Sequence, residues 1–385
     1  MHLFGELNVM RYSVYDISHK RKGRHTLTSR LQIGLVYIIM HMGFGYLQYP
    51  SLIYKLTKTG HWGVVLSYGL LILILMMICK KGLDYFPEKD MIDIYLKMGR
   101  WVAFLFLIPY ALNITALIAM SFRHHAEVIA SIFLLQTPIW AIMILLLVIS
   151  TYTAIKGLGT ILRSSVIIFL IVNILVAFVI VSSFVNFDFR NALPLIPPSL
   201  HFVTNINFLY LLGFSSLFLG FIPSKTNLTY GQLFGALAYV ICFYLTVVYI
   251  PLFIFGTETV DSFFFPAKEA ADSVDMNWFV FNQQTMFFGL SMVGFTIILN
   301  AVLLWMIIQI IQKLFNLKSK KASYWIYAFS LIAFVFAISI PNLILIEKFA
   351  LWSAGANALF IIILPFTMFI YGVLAGRGRL RYEKK

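Results

Sequence analysis

Charged residues are scarce in this chain of 385 residues, in which Asp, Glu, Lys and Arg together make up 11%. A soluble domain carries roughly 25%. Hydrophobic residues make up 61% of the chain, and its mean hydropathy is +0.90. So few charges cannot cover a protein of this size with a polar surface. The composition therefore excludes a soluble globular protein and makes lipid the solvent for much of the chain.

Cysteines and catalytic motifs are equally sparse. Only Cys79 and Cys242 are present, and both fall inside apolar runs, which excludes a disulfide framework. The sequence has no Ser/His/Asp spacing, no cluster of metal ligands and no phosphate-binding loop. We therefore expect no enzyme, no metal site and no cofactor.

Lys and Arg number 29 against 15 Asp and Glu. Binding to nucleic acid would require these basic residues on one exposed face. They lie instead between the apolar runs, where they indicate membrane topology.

Ten windows of at least 21 residues contain no Asp, Glu, Lys or Arg, and each is long enough to cross a bilayer as a helix. The windows are 31–54, 59–79, 101–122, 128–155, 164–187, 191–224, 226–257, 276–312, 322–346 and 349–376. Their apolar residues do not alternate with polar ones, as strands of a membrane barrel would require. The prediction is an all-α polytopic membrane protein with about ten transmembrane helices.

The basic residues of alternate connections give the orientation. If the N-terminal segment is cytoplasmic, 23 Lys and Arg lie inside and 6 outside, and such an excess marks the cytoplasmic side. We predict a basic cytoplasmic tail over 1–30, a transporter-like transmembrane domain over 31–376, and a second basic cytoplasmic tail over 377–385. Within the domain, 31–187 and 207–376 form two repeats of five helices. Pro266 is expected to begin a short surface helix in an outer connection.

Two spans contain helix-weakening residues at matching places, the first of each repeat. Residues 43–50 read GFGYLQYP, and residues 213–223 read GFSSLFLGFIP. Paired interruptions of this kind indicate the binding site of an inverted-repeat transporter. The sequence therefore predicts interrupted first and sixth helices. An amino-acid carboxylate would bind a half-helix N-terminus, and unwound carbonyls would bind the ammonium. The alternative is that Gly and Pro serve close helix packing.

Polar side chains inside the spans add further candidates. His41 precedes the first interruption, and Asn113 lies in the third span. Ionisable side chains inside a membrane are candidates for function. Uncharged polar side chains, such as that of Asn, often only form a hydrogen bond with a neighbouring helix. His124 and His125 lie at the outer edge of the third span, where we expect contact with water or headgroups. The predicted ligand-binding residues are His41, Gly43, Gly45, Tyr46, Asn113, Gly213, Phe214, Ser215 and Ser216.

Several motifs occur in the order and spacing of a known family. They are the segments 43–50, LQTPIW at 135–140 and FPAKE at 265–269, together with Gly157 and Arg163. This pattern resembles the GerAB-type spore germination proteins, the B subunits of germinant receptors, within the amino acid–polyamine–organocation transporter superfamily. The resemblance implies a five-plus-five inverted repeat in the inner membrane of a bacterial spore. It also implies a small germinant such as an amino acid as ligand, and A-type and C-type receptor subunits as partners.

The chain departs from the family pattern at two places. Family members often carry a Glu in the sixth span, near Ser215 and Ser216 of this chain. They also carry an Arg and a Glu at the start of the eighth span, where this chain has Asn282, Gln283 and Gln284. The resemblance therefore indicates a divergent member with altered or lost ligand recognition.

Three functions fit the sequence. The first is a receptor subunit that senses a germinant and signals through its partners. The second is a secondary amino-acid transporter, against which stands the absence of Asp and Glu from the middle of every span. The third is a structural subunit that binds no ligand.

Overall fold

The computed structural model describes residues 24–382 except Leu135, residues 197–198 and residues 279–280. Most of the predicted N-terminal tail and residues 383–385 lie outside the described residues. The last residues of that predicted tail, Arg24–Arg30, form the first turns of a helix.

The described residues form twelve α-helices and one small two-stranded antiparallel hairpin. The helices are α1 Arg24–Leu56, α2 His61–Asp84, α3 Met91–Met98, α4 Arg100–Phe133, α5 Ile139–Ile155, α6 Leu158–Ser183, α7 Ile206–Gly213, α8 Tyr230–Val260, α9 Pro266–Asp272, α10 Thr285–Leu314, α11 Ser319–Ser339 and α12 Leu343–Tyr382. The hairpin pairs β1 Asp275–Trp278 with β2 Phe281–Gln283. A 3₁₀ turn, Phe218–Phe221, follows α7.

Ten of these helical segments account for the ten predicted spans. Seven helices are long and apolar enough to cross a membrane, and three shorter apolar segments, Ile139–Ile155, Ile206–Phe221 and Ser323–Ser339, complete the set. The prediction of about ten spans is thereby confirmed. The short helices α3 and α9 lie in connections. Pro266 is the first residue of α9, as expected from its fixed φ and missing N–H.

Two helices form the centre of the bundle. Most of α10 is buried, and it packs against α4, α5, α6 and α1; α1 in turn packs against α8 and α6. In contrast, α6 presents Ile167, Leu170 and Ile174 on its outer face, each more than half exposed. An apolar face of this kind is stable only against lipid, so α6 lies at the periphery.

The sixth span is interrupted, as predicted. Helix α7 ends at Gly213, residues 214–217 are not helical, and the 3₁₀ turn Phe218–Phe221 follows. The Ser216 hydroxyl accepts a hydrogen bond from the Phe218 backbone N–H at 3.1 Å. Serine hydroxyls that bond nearby backbone groups compete with helix formation, which favours a break here.

The first span is not interrupted, so that prediction is wrong. Helix α1 runs continuously from Arg24 to Leu56 through Gly43, Gly45 and Pro50. Both glycines lie at close helix contacts. A Cβ on Gly45 would lie 2.0 Å from a ring carbon of Tyr244 in α8, and one on Gly43 would lie 3.2 Å from Leu299 in α10. Packing against α8 and α10 offsets the roughly 1 kcal/mol that each glycine costs a helix.

An ion-pair cluster closes the end of the bundle where α1 begins. Asp90 caps α3, accepting from the Asp93 backbone N–H at 3.0 Å. The Lys313 ammonium, at the end of α10, bonds both carboxylates. Asp90 is buried, and burial raises the pKa of its carboxyl to about 6; Lys313 lowers this pKa and Asp93 raises it. The cluster therefore ties α10 to α3 through a buried acid that Lys313 helps to ionise.

Replacing Lys313 with methionine is expected to make stability fall as pH rises from 5 to 8, more steeply than in the wild type. The Asp90 pKa in the folded protein already lies above its unfolded value of about 3.9. Because the pKa is raised on folding, Asp90 contributes its full stabilisation below its unfolded pKa. That contribution is lost as the pH rises through its folded pKa. Without Lys313, only the hydrogen bond from the Asp93 backbone N–H still lowers the Asp90 pKa, so this pKa rises further. Thermal unfolding in detergent at several pH values measures the effect.

Lys225→Met is the control for this prediction. Lys225 pairs with Glu88 at 2.6 Å at the same end of the bundle, but both side chains are more than 60% exposed. Exposed pairs contribute roughly 0–1 kcal/mol. We expect no added pH dependence in Lys225→Met. Parallel pH curves for Lys313→Met and the wild type would contradict the prediction.

Candidate ligand-binding site

The break after α7 is held against α12 by a close backbone contact. A Cβ on Gly213 would lie 1.8 Å from the Ala354 carbonyl oxygen, so only glycine allows this approach. Asn357 lies three residues after Ala354, on the same face of α12. Its amide N–H₂ donates to the Gly213 carbonyl at 2.7 Å and to the Ser215 carbonyl at 3.0 Å. Asn357 thus satisfies two carbonyls that have lost their helical partners.

Asn113 of α4 extends this network. Its amide N–H₂ donates to the Asn357 side-chain oxygen at 3.4 Å, and its own oxygen accepts from the Ser353 hydroxyl at 3.4 Å. The side chains of Asn113, Ser353 and Asn357 are all buried. Three separate spans, α4, α12 and the broken one, therefore meet through side-chain amides at the break.

A cluster of three tyrosines, Tyr49, Tyr68 and Tyr244, lies against the other side of the break. The Tyr68 and Ser215 hydroxyls are 2.5 Å apart. The rings of Tyr49 and Tyr244 stack at 3.9 Å, and the Tyr49 and Tyr68 rings meet edge to face at 5.1 Å. The Tyr244 hydroxyl donates to the His41 carbonyl at 2.8 Å. The cluster connects α2 and α8 to both α1 and the break.

A small cavity lies between α1, α4, α12 and the break. Its walls are formed by Gly43, Phe44, Leu47, Gln48, Leu117, Met120, Ser121, His124, His125, Phe214 and Ala350. The cavity has room only for molecules about the size of water. None of the described residues that line it is charged. The nearest ion pair on α4, Arg123 with Glu127 at 3.0 Å, lies beside the cavity and does not line it.

His124 and His125 are buried, so the expectation that they contact water or headgroups is wrong. Helix α4 continues to Phe133, two turns beyond them, and Phe265, immediately before α9, lies edge to face on His124 at 6.2 Å. The His125 Nδ1 lies 2.6 Å from the Ser121 carbonyl, and its Nε2 has no partner. Among the described residues, no group of three or more His, Cys, Asp or Glu is arranged to hold a metal ion.

The structure brings most of the predicted ligand-binding residues together around the break. Gly43 and Phe214 line the cavity, while Asn113, Gly213 and Ser215 belong to the amide network or contact it. Ser216 stabilises the break through the Phe218 N–H. These six residues come from three spans, α1, α4 and the broken one.

The other three predicted residues have packing contacts instead. Gly45 lies on Tyr244. Tyr46 points away from the cavity and packs against Phe288 at 4.6 Å. The His41 Nδ1 bonds the Tyr37 carbonyl of its own helix at 2.9 Å, and its Nε2 is buried without a partner. None of these three residues lines the cavity.

Sequence reasoning missed Asn357, His125 and Tyr68. Asn357 is an uncharged polar residue in the tenth span, the same signal that singled out Asn113. His125 lies outside the apolar window 101–122, which ends before Arg123, whereas the helix extends to Phe133. A lone tyrosine in a span, such as Tyr68, carries no signal that separates it from the other 19.

These features define a class of membrane protein: an all-helical bundle of about ten spans, the sixth of which is interrupted. The chain belongs to the spore germination protein family, whose family model matches residues 27–343. No curated protein matches the chain in sequence.

Solved structures share this fold at low sequence identity. A crystal structure of MhsT in complex with L-phenylalanine is 12% identical with a TM-score of 0.60, covering 90% of this chain and 98% of MhsT. A crystal structure of the Eremococcus coleocola manganese transporter, mutant H236A, is 13% identical with a TM-score of 0.57, covering 93% of this chain and 79% of the transporter. At these identities the likeness shows the fold alone.

Proposed function

We propose that the chain is the B-type subunit of a germinant receptor and binds a small germinant, an amino acid, beside the break of the sixth span. The observation that carries the proposal is the buried cavity between Gly43 of α1 and Phe214 of the break. Its lining combines apolar side chains with a few polar groups, the usual composition of a small-molecule site.

Binding at this site would act through a change in conformation. The cavity holds only water-sized molecules in the present arrangement, so an amino acid must move α1 away from Phe214. Because Asn357 bonds both carbonyls of the break, such a movement reaches α12 directly. A ligand that prefers the opened arrangement shifts the population toward it. The receptor would transmit that shift without moving the ligand across the membrane.

The proposal includes a cellular setting. Both termini would lie in the cytoplasm, which the 23-to-6 distribution of Lys and Arg supports. The membrane would be the inner membrane of a bacterial spore, and A-type and C-type receptor subunits would be the partners. Membership of the spore germination protein family supports both statements.

Thermal unfolding of the purified chain with each of the twenty amino acids tests the binding proposal. At a concentration 100-fold above Kd, a ligand stabilises the folded state by about 2.7 kcal/mol. We expect at least one amino acid to raise the unfolding temperature. Gly45→Leu should weaken this response, because its side chain would enter the space of the Tyr244 ring.

Gly235→Leu is the control, since Gly235 of α8 has no neighbouring atom within 4 Å of an added Cβ. It should keep the full response. If no amino acid shifts the wild-type unfolding temperature, the binding proposal is wrong, and a structural subunit becomes the better description of the chain.

A secondary amino-acid transporter is the second candidate, because the fold is shared with a solved manganese transporter. Uptake of a stabilising, radiolabelled amino acid into proteoliposomes separates the two. A receptor subunit binds the ligand but accumulates none inside, whereas a transporter concentrates it when an ion gradient is applied.

A further inference from the structure

His125 offers the cavity a bare hydrogen-bond acceptor. Its Nδ1 lies 2.6 Å from the Ser121 backbone carbonyl. A carbonyl can only accept, so Nδ1 carries the proton, and in the neutral ring Nε2 is left with a lone pair and no hydrogen. Nε2 is buried and accepts no hydrogen bond from a described residue. The backbone of Gly43 lies within reach of the ring, and its carbonyl, like that of Ser121, can only accept. The side chain is 4% exposed and lines the cavity.

The surrounding residues hold this ring in place. Asn300 of α10 donates from its amide to the Thr296 carbonyl at 2.9 Å and to the Ser121 hydroxyl at 3.1 Å. Ser121 therefore lies between Asn300 and His125 and is fixed by α10. With Nδ1 engaged at Ser121, the opposite edge of the ring, which carries Nε2, points away from that contact. Residues of α4 and α10 therefore together hold the His125 ring in this orientation.

The remaining walls suit a cation. Phe44 and Phe214 both line the cavity, with ring centroids 6.2 Å apart. The faces of aromatic rings attract ammonium groups. Gln48 supplies an amide oxygen that can accept a further hydrogen bond. A carboxylate in this space would meet the His125 lone pair and two π faces, and no described cation lines the cavity to balance it.

We propose that this cavity binds the protonated primary amine of the ligand, with an ammonium N–H donated to His125 Nε2 and Phe44 and Phe214 on either side. The inference rests on the proposed function, since it says which end of the germinant this cavity recognises. It assigns the ammonium to an imidazole on α4 and not to unwound backbone in α1, which is helical throughout.

The test uses two small protonated amines: ammonium, which is about the size of water, and methylammonium, which is one carbon atom larger. Thermal unfolding of the full chain in detergent is followed in ammonium chloride, methylammonium chloride, potassium chloride and sodium acetate at equal concentrations near pH 7. Ammonium and potassium ions are close in size, but only ammonium donates hydrogen bonds. We expect ammonium and methylammonium to raise the unfolding temperature above the value in potassium chloride, and acetate to have no such effect.

Substitutions at His125 make the test specific. His125→Leu should weaken apparent methylammonium binding by at least about tenfold, since a hydrogen bond to a charged group is lost. His125→Gln keeps an acceptor at the same reach and should retain part of the binding. His61→Leu is the matched control: His61 also has a buried, unpartnered Nε2 but does not line the cavity. His61→Leu should bind methylammonium as tightly as the wild type does.

Each outcome has a distinct meaning. Equal unfolding temperatures in ammonium, methylammonium and potassium salts would overturn the inference and indicate that the cavity holds water only. An equal effect of methylammonium on the wild type and His125→Leu would also overturn it. If amino acids stabilise the chain but His125→Leu responds normally, this inference fails and the proposed function stands. If methylammonium binds through His125 but no amino acid does, the proposed function fails and the amine site stands.

Discussion

Asn357→Leu will lose any response to a stabilising amino acid and will unfold at a markedly lower temperature than the wild type. The substitution removes the only donor groups that the described residues offer to the Gly213 and Ser215 carbonyls. Each buried group left without a partner costs about 1–3 kcal/mol. The leucine side chain keeps the volume, so the effect arises from hydrogen bonding and not from a cavity. Thermal unfolding in detergent, with and without the amino acid, measures both losses.

Asn173→Leu serves as the control for Asn357→Leu. The Asn173 amide donates to the Phe169 carbonyl of its own helix at 2.7 Å, and that carbonyl also has its helical partner. Its oxygen accepts from the Tyr239 hydroxyl, but that side chain is 39% exposed. Removing the Asn173 amide therefore leaves no backbone group unpaired and no fully buried donor, and the unfolding temperature should change little. If Asn173→Leu and Asn357→Leu lowered the unfolding temperature equally, the hydrogen bonds from Asn357 to the break would contribute no more to stability than an ordinary bond within a helix.

Gly213→Ala is expected to separate α7 from α12 and to destabilise the protein by about 1–3 kcal/mol or more, as overpacking of a core does. The added Cβ would lie 1.8 Å from the Ala354 carbonyl oxygen, and backbone cannot rotate away as a side chain can. Moving α12 outward also lengthens the bonds from Asn357 to the break. We therefore expect the ligand response to fall together with stability, measured by the same unfolding experiment.

Gly235→Ala separates this contact from the general effect of the substitution. Gly235 lies inside α8, with no atom within 4 Å of an added Cβ. Alanine there should stabilise the helix by about 0.5–1 kcal/mol, because it restricts the unfolded chain more than glycine does. We expect Gly235→Ala to raise the free energy of unfolding and Gly213→Ala to lower it. A stabilising Gly213→Ala would mean that the two helices are not in contact in solution.

The closed state of the site explains why the two substitutions act on ligand binding as well as stability. The cavity beside Phe214 holds only water-sized molecules, and ion pairs such as Lys313 with Asp90 tie the helices together at one end. Opening for an amino acid must rearrange α1, the break or α12. Asn357 bonds the break and Gly213 contacts α12. Both variants therefore change the element whose two arrangements the ligand would select.

The loss of family charges has a local structural counterpart. Gln284 is one of the residues at which the resemblance in sequence led us to expect a charge, and its amide donates to the Val179 carbonyl at 2.6 Å and to the Ser183 hydroxyl at 2.9 Å. Ser215 stands near the expected sixth-span Glu and bonds Tyr68. Neutral hydrogen bonds thus occupy both positions. This arrangement agrees with a site in which neutral acceptors, and not a carboxylate, meet the ligand.

The candidate site was partly predictable from sequence. The pattern GFSS at 213–216 located the break correctly, because glycine and serine both weaken a helix wherever they occur. The same reasoning failed at 43–50. There the glycines meet Tyr244 and Leu299 of other helices, and those contacts stabilise a continuous helix. A local signal could not distinguish a glycine that breaks a helix from one that lets a neighbour approach.

The sequence by itself determined the membrane environment, the number and order of the spans and the excess of basic residues on one side. These follow from local composition, since every crossing needs about 20 apolar residues whatever packs beside it. Only the tertiary structure decided which glycines break a helix, that Asn357 reaches the carbonyls of the break, and that His125 faces a buried cavity. Asn113 and Asn357 are 244 residues apart in sequence. Such contacts depend on how distant helices pack, and no local pattern in the sequence encodes them.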